Sequence, residues 1–222
     1  MAAQLDIKYI RSEHDHGSGL ACVSMLLAHF GHDTPTPTEH KLVQELEKIR
    51  NRDYSDILPE QRQLLLGDPN AYVELFESKP YRIPCRKRED GRVSRLEECL
   101  ARGHPVIVFL GAKALRGRAL RGVKTVDAGY QPVVVTRVSR WRVVFHDPDK
   151  NYGRAYRSMR RGRHMFSQPR TFESKWSVWQ QWLYVLGYLT LRMPDIAPAA
   201  RLQPWVFVET WRPTGTYGEL DS

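Results

Sequence analysis

At 222 residues, with 41% hydrophobic and 27% charged side chains, the chain can close a sizeable core as one domain with room for an extension. No apolar run approaches the roughly 20 residues that span a bilayer, and the N-terminus shows neither the basic start nor the apolar stretch of a secretory signal, so a cytoplasmic protein without a membrane partner is expected. Cys22, Cys85 and Cys99 are widely spaced and form no CxxC pair, which speaks against a disulfide framework or zinc site, while a formal charge of +9 turns attention to anionic partners.

Leu5 to Ile10 alternates apolar and polar residues and reads as a short strand, followed by the polar stretch Arg11 to His16. Gly17-Ser18-Gly19 then opens an apolar helix that Gly31 closes. Leu20, Val23, Leu27 and Phe30 recur at three- and four-residue steps, and Ala21, Met25 and Leu26 widen the stripe. Such a helix belongs at the centre of a domain. Its first turn presents unpaired N–H groups and the positive end of the dipole, a place that stabilises a nucleophile or an anion.

A polar helix is expected from Glu39 to Asn51, with Leu42, Val43, Leu46 and Ile49 on one face, and short helices from Pro59 to Leu66 and from Ala71 to Glu77. Arg82 to Lys87 reads as extended and Ser94 to Ala101 as a helix with Leu96, Cys99 and Leu100 inward. Pro105 to Leu110 is a continuous apolar run, the pattern of a strand covered on both faces. A basic stretch follows, with Lys113, Arg116, Arg118, Arg121 and Lys124. Pro132 to Val138 and Trp141 to His146 form a hairpin candidate around Ser139-Arg140.

Asn151 to Arg170 reads as a long loop whose arginines alternate with Tyr152, Tyr156, His164 and Phe166. Basic and aromatic side chains together hold phosphates and bases, or an acidic peptide, although a solvated basic face accounts for the same composition. Thr171 to Gln181 is expected to be helical, Leu183 to Arg192 and Trp205 to Trp211 extended, and the tail from Arg212 mobile. The order predicts an α+β domain over residues 1–192, with an N-terminal helix packed on an antiparallel sheet, and an extension over 193–222.

Three groups of residues carry a likeness to a known family. They are Ser18-Gly19-Leu20-Ala21-Cys22 at the helix start, Gln131-Pro132-Val133-Val134-Val135 at a strand start, and His146-Asp147-Pro148 at the next strand end. With Gly103 to Val108 between them, they resemble the papain-like cysteine peptidases of the bacteriocin-leader (double-glycine) type, over roughly residues 5–190. The resemblance implies a papain-like fold. It also implies a site in which a helix-start Cys is the nucleophile, a His its base, an Asp the orienting group, and an upstream Gln an oxyanion donor.

Matched position by position, the nucleophile falls on Ser18, the base on Gln131, the oxyanion position near Ser12, and the orienting carboxylate on Asp147. Only Asp147 keeps its type. A hydroxyl needs a general base, and an amide is not one, so the family's mechanism is not expected to run. Ser18 retains three readings: a helix N-cap, a serine standing in place of a natural cysteine, or a nucleophile activated by a displaced base among His14, His16 and His146. Gln131 is expected to face the first helical turn and pair with Ser18. His14 and His16 supply too few ligands for a metal, and no cofactor is expected.

The leading expectation is a pseudo-peptidase: a cleft that binds a peptide or protein segment without cutting it. Arg157, Arg160, Arg161 and Arg163 would attract an acidic partner, and Trp176, Trp179 and Trp182 would line a groove unless they pack inward. An active peptidase or acyl-transfer enzyme is the alternative, and a nucleic-acid-binding module the third reading. The oligomeric state is open.

Overall fold

The computed structural model describes residues 4–13, 18–32, 37–51, 69–111, 130–148, 163–176 and 206–212. Helices α1 (Ser18–His29), α2 (Glu39–Arg50) and α3 (Pro69–Glu77) come first, followed by strand β1 (Cys85–Arg88) and helix α4 (Val93–Ala101). Strands β2 (Val106–Gly111), β3 (Tyr130–Val138), β4 (Val143–His146) and β5 (Met165–Ser167), helix α5 (Pro169–Trp176) and strand β6 (Phe207–Thr210) complete the order. The strands form one antiparallel sheet in the order β1-β6-β2-β3-β4-β5. The α+β expectation holds.

Alternation along the strands splits the core into two layers. Ile107, Phe109, Val134 and Val208 face α1, α2 and α3, while Val106, Val108, Leu110, Val133, Val135 and Phe207 face α4 and α5. Every residue of α1 from Gly19 to Leu27 is buried, as its broad apolar stripe requires. The helix ends where Gly31 adopts φ 93°, with His32 N–H donating to Leu27 O and Gly31 N–H to Ala28 O. Nothing lies within 4 Å of a Cβ added at Gly31, so Gly31→Ala acts through backbone strain alone. Urea denaturation is expected to show a loss of about 1–2 kcal/mol for it.

Several elements depart from expectation. Leu5 to Ile10 is not a strand: Gln4 makes an isolated bridge to Arg137, and Leu5 N–H donates to Thr136 O before the segment leaves the ladder. The extended stretch after Arg82 is shorter, because Arg82 has φ 48° and the strand begins at Cys85. The loop expected from Asn151 to Arg170 contains β5. The strand expected over Trp205 to Trp211 is present as β6, and it is inserted between β1 and β2 of the same sheet. Trp176 is buried and donates its indole N–H to Val206 O at 3.1 Å, so it is core and not groove. The expected helix at Pro59–Leu66, the strand at Leu183–Arg192, Trp179, Trp182 and the tail beyond Arg212 lie outside the described residues.

Candidate functional site

The direction of α1 sets where its N-terminus points. At its C-terminal end, His29 approaches Asp6 O at 3.3 Å and senses the charge of Arg212, which follows β6 beside the start of β2. Ser18 therefore stands at the opposite end of the sheet, where β2 and β4 finish and β3 and β5 begin. Ser18 lies in the first described turn of α1, and the residues that precede it lie outside the described residues.

Asp147 is brought to the same end. It follows β4, is fully buried, and its carboxylate acts on the thiol of Cys22, one helical turn beyond Ser18. Burial first, and then the charge of Asp147, push the Cys22 thiol well above its ordinary range. Ser12 arrives there too: it is buried, and its backbone N–H donates to Pro148 O at 2.9 Å. That bond commits the Ser12 N–H to the strand end. Gln131 lies in β3 opposite Leu110 of β2, at a register position shared with Val133 and Val135 on the face toward α4 and α5, so the expected pairing with Ser18 under α1 is not what the strand register gives.

Around these residues, polar contacts lock the N-terminal segment in place. Tyr9 Oη donates to Asp147 O at 3.3 Å, and Glu13 N–H donates to Glu39 Oε1 at 2.9 Å, joining the approach to α1 to the first turn of α2. Ser24 Oγ donates to Pro37 O at 2.9 Å from the middle of α1. Glu39 and Tyr9 had no signal in local sequence, because their partners are distant in the chain.

His146 is the buried histidine of the site and has a structural role. Its Nδ1 accepts from His164 N–H at 3.1 Å, which leaves the ring proton on Nε2, donated to Ile7 O at 3.0 Å. Burial pushes its imidazole down to about 4, and His164 and Arg163 add to the shift. With both nitrogens engaged and no solvent exposure, His146 is not the displaced base considered for Ser18. His14, His16, Arg157, Arg160 and Arg161 lie outside the described residues, and Arg163 is exposed at the turn before β5.

The cysteines are all free and all buried. Burial pushes the Cys85 and Cys99 thiols up to about 12, with Glu77 and Glu209 respectively adding to it. No thiol occupies the start of α1. Among the described residues, no three His, Cys, Asp or Glu side chains converge as a metal site, and no helix is long and apolar enough to cross a membrane.

No family model and no curated protein matches the chain. A solved structure does: a chain described as a C39-like peptidase from Bacillus anthracis superposes with a TM-score of 0.54 at 12% identity, over 97% of this chain and 100% of that one. At that identity the likeness speaks for architecture and not for activity. The protein has the papain-like fold of a C39-like peptidase.

Proposed function

We propose that the protein is a pseudo-peptidase that binds a peptide or protein segment at the N-terminal end of α1 and does not cleave it through a cysteine. One observation carries this reading. The three cysteines are buried, their thiols are held far from the thiolate form, and the first residue of α1 is Ser18. In this reading Ser18 and Gln131 stand at the sequence positions of a nucleophile and its base and supply neither a thiol nor an imidazole there, and Asp147 is retained from the cleaving ancestor.

Charge supports an acidic segment. Residues 112–129 and 149–162 lie outside the described residues, between Gly111 and Tyr130 and between Pro148 and Arg163 in the chain. Each stretch carries five basic residues and one acidic residue, so together they hold +8 of the chain's +9. The described residues that flank them, at the ends of β2 and β4 and the starts of β3 and β5, stand at the end where α1 begins. A field of that sign raises the local concentration of an anionic partner and weakens with salt.

Peptide hydrolysis by the protein, by Ser18→Cys and by Ser18→Ala tests the proposal. The natural chain, Ser18→Cys and Ser18→Ala are all expected to be inactive. Activity restored by Ser18→Cys alone would overturn it, as would hydrolysis by the natural chain that Ser18→Ala abolishes. Binding of acidic peptides, followed by calorimetry, is expected to exceed that of basic peptides of the same length.

A further inference from the structure

Arginines on this protein fall into two populations. Arg50, Arg86, Arg88, Arg95 and Arg102 are each paired with a carboxylate. Arg137, Arg140 and Arg142 have no carboxylate partner among the described residues and are exposed, as are Arg92, Arg163, Arg170 and Arg212 elsewhere. Two of them lie over aromatic rings: Arg140 is 5.0 Å from the centre of Trp141, and Arg142 is 5.1 Å from that of Phe166. Those rings are 71% and 55% exposed, against a core that buries the other large aromatics on the sheet.

Strand register makes these groups one surface. Arg137 pairs with Val144, and Val144 pairs with Phe166, so the three stand side by side across β3, β4 and β5. Val138, Val143 and Phe145 take the opposite face, under α4 and α5. The Arg137–Phe166 row is therefore on the side of α1 but beyond its cover. Trp141 and Arg140 extend it at the β3–β4 turn, at the other end of the hairpin from Ser18.

We propose that this outer face of β3, β4 and β5 binds single-stranded nucleic acid. Unpaired guanidinium groups take phosphates, and a phosphate backbone supplies the charge that three unneutralised arginines lack. The exposed rings select the form of the strand. Bases stack on aromatic faces only when they are unpaired, since a duplex hides its base faces and an acidic peptide has none to offer. A sheet face that carries arginine and aromatic side chains in adjacent rows fits alternating phosphate and base contacts. This surface is separate from the cleft proposed for a peptide, and the two proposals stand or fall independently.

Fluorescence anisotropy of a labelled thymidine oligonucleotide with the full chain provides the test, with circular dichroism to confirm folding of the variants. The single strand is expected to bind more tightly than a duplex of the same length. Trp141→Ala and Phe166→Ala, both exposed and outside the core, are each expected to weaken binding about 10-fold without changing the salt slope. Arg140→Ala with Arg142→Ala is expected to reduce the slope, by about 1 for each arginine. No binding at low salt, equal binding of the duplex, or aromatic variants that bind like the natural chain would overturn the proposal. So would competition by polyglutamate as effective as by unlabelled strand, which would identify the face as one for acidic proteins.

Discussion

Unfolding free energy is expected to fall by about 3 kcal/mol as pH is lowered from 6.5 toward 4, with His146 as the cause. The folded chain holds this ring neutral, with its imidazole near 4 instead of its ordinary 6.5. The unfolded chain therefore takes up the proton first as pH falls, and each pH unit in that window costs up to about 1.4 kcal/mol. Above pH 6.5 both states are neutral at this position and the contribution is fully present. The structural reason is that protonation turns Nδ1 into a donor facing the donor N–H of His164. Ile7, His164 and the end of β4 would then part at the rim of the candidate site. His146→Ala should cost about 2–4 kcal/mol near neutral pH, because it leaves the Ile7 carbonyl and the His164 N–H without a partner. Urea denaturation at a series of pH values reads both effects. An unchanged slope in the variant would assign the acid sensitivity to another group.

Glu209 is expected to give the second large effect, at the opposite end of the sheet. It is fully buried in β6, yet Arg86 Nε at 2.9 Å and Arg88 Nη1 at 3.4 Å donate to Oε2, and His104 Nδ1 at 2.9 Å donates to Oε1. Burial alone would raise this carboxyl, but the hydrogen bonds from His104, Arg86 and Cys99 and the charge of Arg86 hold it down at about 2. Glu209→Ala leaves Arg86 and His104 without their anion, while Arg88 keeps Asp90, and opens a void between β1 and β2. A loss of about 3–5 kcal/mol is expected, read as a lower midpoint in urea at neutral pH. Glu209→Gln keeps the shape but not the charge and should cost less. Since the folded carboxyl titrates below its ordinary 4.5, its contribution is complete above that pH and is lost on the way down to about 2. Acid unfolding should therefore proceed through two windows, the first set by His146 and the second by Glu209.

Local pattern was enough for much of the fold. The apolar stripe and closing glycine of α1, the continuous apolar run of β2, and the β3–β4 hairpin were all legible, because each depends on periodicity within a dozen residues. The absence of a thiol at the start of α1 was legible for the same reason. The alternation of Leu5 to Ile10 misled, since a strand also needs a partner edge. Here Ile7 O is taken by the His146 ring and Tyr9 Oη by the Asp147 carbonyl, so side chains hold the segment that a ladder would have held.

Tertiary structure decided the rest, and in each case the deciding partner lies far along the chain. Only the register of β6 between β1 and β2 brings Glu209 to His104, which is 105 residues away. Only the fold closes the contact between His146 and Ile7, across 139 residues, that turns a candidate base into a structural pin. The outer sheet face likewise exists because pairing sets Arg137, Val144 and Phe166 in one row while α1 covers only the inner strands. Sequence by itself determined the helices, most of the strands and the serine at the start of α1, through short-range periodicity and residue type. Which polar groups are buried, paired or left facing water was settled by long-range packing, because burial and hydrogen bonding belong to neighbours in space.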